Sequence, residues 1–278
     1  MSLTTSSPRV NFVTALPSEA APLVEHYQLA RRARHGRLTV YSRDNIQLAV
    51  AGIGKTAVAT AVGVLGATTT DLPTAFINVG IAGHAGAALG SCFLVDKIVD
   101  DASQQTAYPP IAYPNKLPSS PLCTVATPQT NYRDGWLYDM EGSAFFDAAK
   151  QFTTLECICL IKVISDNRHS PIAKITKNKI TELMKDAVAN VNEVTSSLAS
   201  LIETHLTPSR TTLPPDQLPW RVTATQSIQL NRLASRLCVL SPETDLMAFI
   251  EDCGTAKQAI SKLSETLASL ALDFSASQ

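Results

Sequence analysis

Three carboxylates beside apolar runs are candidates to move a proton or hold a polar ligand. They are Glu19 in Ala15-Leu16-Pro17-Ser18-Glu19, Glu141 in Asp139-Met140-Glu141-Gly142, and Asp166 in Ile164-Ser165-Asp166-Asn167. Two glycine-bearing segments stand with them, Ala51-Gly52-Ile53-Gly54-Lys55 and Ile77-Asn78-Val79-Gly80-Ile81-Ala82-Gly83. Taken singly, each residue has a structural use. Glu19 near a helix start complements the helix dipole, Asp166 after a buried strand caps a turn, Met140 fills core space, and His84 tolerates an unusual turn backbone. The string Ala49-Val50-Ala51-Gly52-Ile53-Gly54-Lys55-Thr56 fits a loosened phosphate-binding loop with Ala in place of the first Gly. In that case Phe93-Leu94-Val95-Asp96 would be a magnesium-holding strand end. The missing first glycine removes the flexible turn such a loop needs, and Val50 and Ala51 read better as strand, which counts against a nucleotide triphosphatase.

In their order and spacing, these five segments resemble the purine and uridine phosphorylase superfamily, specifically its methylthioadenosine/S-adenosylhomocysteine nucleosidase branch. The resemblance spans residues 9–206, and its most specific part is Met140-Glu141 followed by an apolar strand and Ser165-Asp166. It implies that Glu19 activates water, that Met140 and Glu141 grip the sugar, with Glu141 on a ribose hydroxyl, and that Asp166 faces the purine N7. It further implies a substrate wall of Ile81, Ala82, Gly83 and Ser165. The implied reaction is hydrolysis of the N-glycosidic bond of a purine nucleoside of the 5′-modified adenosine type, without cofactor or metal, in a homodimer or higher homo-oligomer. The residue types suit that chemistry. Breaking the bond builds oxocarbenium character on the sugar and negative charge on the base, so an acid near N7 and a base for the water belong on opposite sides.

Departures from the family sharpen this expectation. Its phosphorylases hold phosphate with arginines in the loop after the first strand and before the third glycine turn, whereas residues 17–21 and 77–79 here contain none. A dianion without such donors is poorly held, which favours hydrolysis. Ile81 stands where the nucleosidases usually have serine, and the basic residue near the late strand is Lys162. The region 98–121 is shorter than in typical nucleosidases, and Thr127-Pro128-Gln129-Thr130 lacks their aromatic stacker, leaving Tyr132 or Trp136 as substitutes. Nucleoside phosphorylase, inactive nucleoside-binding protein and phosphate-loop protein stay open as alternatives.

The elements that must position these residues alternate between strand-like and helical runs, which argues for α/β architecture. Strands are predicted over 10–15, 38–42, 46–51, 75–79, 92–99, 122–126 and 157–164. Helices are predicted over 18–29, 56–65, 142–152 and 176–206, and both Gly52-Gly54 and Gly80-Gly83 are read as turns. The expected fold is a mixed, mostly parallel central sheet flanked by helices, phosphorylase/hydrolase-like, with its site at the C-terminal strand ends. Residues 1–206 form that domain, 207–220 a Pro-rich linker, and 221–278 a small all-helical C-terminal module with apolar positions three and four apart.

The chain of 278 residues is 45% hydrophobic and 17% charged, an ordinary globular balance. A formal net charge of -1 gives no whole-protein field toward nucleic acid or an acidic membrane. The first residues lack a secretory signal, and no apolar run approaches roughly 18 residues. The six cysteines read as reduced core thiols without zinc spacing. The expectation is therefore a cytoplasmic protein with a small-molecule partner, a purine nucleoside, and neither nucleic acid nor membrane.

Overall fold

The computed structural model describes residues 8–68, 74–206, 213, 215, 218–241 and 243–273. They divide into two compact units, 1–206 and 207–278.

The first unit begins with β1 (Arg9–Thr14), whose residues are buried on both faces as a central strand requires. Helix α1 (Pro17–His26) follows after two residues, with Pro17 at its first position and Glu19 accepting the N–H of Leu16, the residue before the helix. The hairpin strands β2 (Ala30–His35) and β3 (Leu38–Arg43) lead to β4 (Ile46–Val50) and helix α2 (Lys55–Ala67). Next come β5 (Thr74–His84), β6 (Cys92–Asp100), β7 (Thr106–Ala107), β8 (Ser119–Thr124) and β9 (Leu137–Asp139). Helix α3 (Gly142–Ala149), β10 (Ile158–Asp166) and the long α4 (Lys177–Leu201) complete it.

The central strands β4, β1, β5 and β10 run parallel, while β3 and β2 extend one side antiparallel. Beyond β5 the sheet curls on itself: β10 pairs β6, β6 pairs β8, β8 pairs β9, and β9 pairs the end of β5. Five strands therefore close into a ring. Two apolar cores cover the two faces. Val10, Phe12, Ile77 and Ile161 meet the α4 stripe Ile180, Met184, Val191 and Leu198 on one side. Val13, Ala49 and Phe76 pack with Val58, Val62 and Leu65 of α2 and with Phe145 of α3 on the other.

Several features of this unit differ from the expected pattern, the short β9 among them. Strand β5 does not stop at Val79 but runs through Gly80-Ile81-Ala82-Gly83 to His84, so the second glycine segment is strand and not turn. The arginine-rich β2 is an added strand at the open sheet edge, where exposure on both faces removes any apolar alternation.

The second unit contains α5 (Ala224–Leu240), α6 (Leu246–Ile250) and α7 (Ala256–Asp273) around a separate core of Leu230, Leu237, Leu246, Ile250 and Leu263. Leu213, Leu218 and Trp220, within the stretch expected to be a linker, pack with that core, and the Trp220 indole donates to Cys253 O at 2.6 Å. Among the described residues, no helix is long and apolar enough to cross a membrane.

Candidate functional site

Glu19 is fixed before any ligand arrives. Its Oε2 accepts the N–H groups of Ala15 (2.9 Å) and Leu16 (2.8 Å), and its Oε1 accepts that of Ile81 (3.0 Å). These bonds tie α1 to β5. The space for them comes from Gly80, where an added Cβ would stand 3.2 Å from Glu19 Oε1. Burial pushes the Glu19 carboxyl upward, and the three amides and the Lys162 charge oppose that shift.

Strand β9, only three residues long, delivers Asp139, Met140 and Glu141 to the same place. Asp139 is buried and accepts from Thr124 Oγ1 and Gly142 N, both at 2.8 Å, while its Oδ2 pairs with Lys162 Nζ at 2.7 Å. Lys162, only 1% exposed, also donates to Asn78 Oδ1 at 2.6 Å. This buried network joins β5, β9 and β10 beneath the site carboxylates. Glu141 accepts the Gly54 N–H at 2.7 Å through Oε1. Burial, aided by the neighbouring Asp139 charge, pushes its carboxyl up to about 7.

The Gly52-Gly54 turn is used differently from a phosphate loop. Both glycines have left-handed φ, +95° and +100°, which a β-carbon would strain. The Gly54 amide at the start of α2 is taken by Glu141, and Lys55 is held by Asp100, which also accepts from Ser143 Oγ at 2.6 Å. Although burial works against it, the bonds from Lys55 and Ser143 hold the Asp100 carboxyl well below the usual range. Asp96, the supposed magnesium ligand, lies within β6 and accepts from Ser119 Oγ at 2.6 Å. Two donors that a phosphate would use, the Gly54 amide and the Lys55 ammonium, are thus taken by the protein's own carboxylates.

Ser165 and Asp166 are the last residues of β10, where the pairing with β5 shifts register. Asp166 is 2% exposed, with Ser165 Oγ donating to its Oδ1 and Tyr132 OH donating to its Oδ2. His84 serves its own turn: Nδ1 accepts the N–H groups of Gly86 (3.1 Å) and Ala87 (2.8 Å).

All the site residues named from sequence (Glu19, Ile81, Ala82, Gly83, Met140, Glu141, Ser165 and Asp166) line one cavity of about 200 Å³. It opens at the C-terminal ends of the parallel strands, with Ile53 at its edge. Gln129, Tyr132 and Tyr138 wall one side and Ile172, Ile175 and Ile180 another. The isoleucines come from the segment after β10 and from α4, which no chemistry-bearing motif marks.

Solved structures share this arrangement of elements. Arabidopsis thaliana 5′-methylthioadenosine nucleosidase, in apo form, matches with TM-score 0.58 at 19% identity, over 69% of this chain and 96% of its own. The fold is that of the methylthioadenosine/S-adenosylhomocysteine nucleosidases. A nucleosidase of this fold from Colwellia psychrerythraea 34H, in complex with adenine, matches with TM-score 0.54 at 19% identity over 72% and 98%. One from Chlamydia trachomatis bound to MTA matches with TM-score 0.53 at 21% identity over 69% and 99%. By sequence, no family model and no curated protein matches the chain. The nucleosidase fold is therefore kept while most side chains differ, and this cavity lies among residues of the first unit only.

Proposed function

We propose that the cavity hydrolyses the N-glycosidic bond of a purine nucleoside, of the 5′-modified adenosine type, and releases the free base. The observation that carries this reading is the convergence of Glu19 from α1, Met140-Glu141 from the end of β9 and Asp166 from the end of β10 on one cavity. In this mechanism Asp166, once it has taken a proton from solvent, passes that proton to N7 as the C1′–N9 bond breaks, so the base departs neutral and Asp166 is left as the carboxylate. Water bonds to C1′ and loses its proton to Glu19. Glu141 accepts a ribose hydroxyl and stabilises the electron-poor sugar. The adenine and MTA held by solved proteins of the same fold support the choice of ligand class.

Hydrolysis is favoured over phosphorolysis because, among the described residues, neither arginine nor lysine lines the cavity. A phosphate dianion there would meet carboxylates in place of bidentate donors. The test is to incubate the purified protein with 5′-methylthioadenosine, adenosine and inosine, with and without phosphate, and to follow free base by chromatography. Base release that does not depend on phosphate is expected. Formation of a sugar 1-phosphate would establish the phosphorylase alternative, and binding without any cleavage would establish an inactive nucleoside-binding protein.

A further inference from the structure

Each oxygen of Asp166 accepts from a hydroxyl of the protein itself, and these hydroxyls compete with a ligand for the carboxylate. Ser165 Oγ is on Oδ1 and Tyr132 OH is on Oδ2. The two donors are not equivalent. Ser165 is the neighbouring residue on β10 and also lies 3.4 Å from Ala82 O, so it is part of the strand framework. Tyr132 comes from the irregular segment between β8 and β9.

That segment is fastened from outside. Arg168 donates to the Tyr132 carbonyl at 2.8 Å and pairs with Asp134 at 2.9 Å, with side chains 51% and 83% exposed for the pair. An ion pair so exposed holds weakly; the Arg133 N–H, donating to Tyr138 OH at 3.1 Å, and Ser120 Oγ, donating to the Gly135 carbonyl at 3.1 Å, also hold the segment. Inside, the Tyr132 ring lies 5.6 Å from the Tyr138 ring and occupies space that exists because residue 83 is glycine. An added Cβ there would come within 2.7 Å of Tyr132 Cε1, 2.8 Å of Asp166 Oδ2 and 2.9 Å of the Tyr132 hydroxyl.

We propose that Tyr132 is a latch on the base end of the site: its hydroxyl donates to Asp166 Oδ2 and competes with a base edge for that oxygen. The proposal rests on the reading of Asp166 as the residue that meets the purine. A latch of this kind lowers apparent affinity by the fraction of molecules in which it is open. A hydrogen bond to a charged acceptor corresponds to roughly a ten- to hundredfold factor, of which the incoming base recovers part by bonding Asp166 itself.

The experiment measures adenine binding by calorimetry to the full chain, to Tyr132→Phe and to Arg168→Gln. Tyr132→Phe keeps the ring and removes only the hydroxyl; a cooperative melt checks its fold. Arg168→Gln loosens the segment from outside the cavity and serves if the first variant does not fold. The latch requires Tyr132→Phe to bind adenine about tenfold more tightly, and Arg168→Gln to move the same way. Unchanged or weaker binding by folded Tyr132→Phe, with the unaltered protein binding adenine, overturns the latch and leaves the purine site standing. Failure of all three proteins to bind adenine overturns the purine site itself, and the latch with it.

Discussion

The backbone N–H of Gly54 donates to Glu141 Oε1 at 2.7 Å, joining the turn before α2 to the residue that precedes α3. The amide supports the charged form of a carboxylate that burial and Asp139 drive the other way. The resulting position near 7 has two consequences.

The first concerns stability against pH. In the folded chain the Glu141 carboxyl is raised from 4.5 to about 7, so between those values the folded state binds more protons than the unfolded state. Its contribution is fully present below about 4.5 and is lost as pH rises through about 7. Melting temperatures taken from pH 5 to 8 should show this decline, and Glu141→Gln should flatten it. An unchanged slope in the variant would refute the assignment. Adenosine-type ligands, held through a ribose hydroxyl, should bind better above pH 7, where the carboxylate can accept.

Lys162 and Asp139 form a buried pair, and removing one partner leaves the other charge without compensation. Lys162→Met is expected to cost about 3–5 kcal/mol of folding stability. Urea unfolding measures it. A loss under about 1 kcal/mol, well below that range, would mean that Thr124, Gly142 and relaxation around Asp139 suffice without the lysine.

Asp166→Asn should leave the fold intact and nearly silence base release. The amide cannot supply the proton N7 requires, and such a role is worth roughly 10²–10⁴-fold. Turnover within about tenfold of the unaltered enzyme would remove Asp166 from the acid position.

A chain ending at residue 206 should fold and bind adenine. The site lies wholly in the first unit, and Leu213, Leu218 and Trp220 pack with the separate core of the second. Cutting after 206, and not at 220, avoids leaving those three apolar residues without partners. Size-exclusion chromatography and a thermal melt decide the point. Insolubility, or a melt without cooperativity, would show that the first unit needs the second.

Apolar runs were enough to mark β1 and β10, because strands buried on both faces carry few polar residues, and shorter apolar stretches marked the partly buried β4 and β6. The stripe of α4 was equally legible at three- and four-residue spacing. The order of Glu19, Met140-Glu141 and Ser165-Asp166 pointed to residues that the structure brings to one cavity. Local signals failed where a long-range contact set the conformation. Gly80 and Gly83 resemble turn residues in the sequence, yet they lie in a strand, where glycine lets Glu19 approach at residue 80 and Tyr132 and Asp166 approach at residue 83. Strand β9 is too short to carry a period, and β2 too exposed. The sequence by itself determined the layered α/β pattern and the chemical types at the site. Only the tertiary structure decided that Lys162 would meet Asp139 and Asn78, and that Tyr132 would meet Asp166, because these partners lie on different strands and loops and come together only when the sheet curls closed.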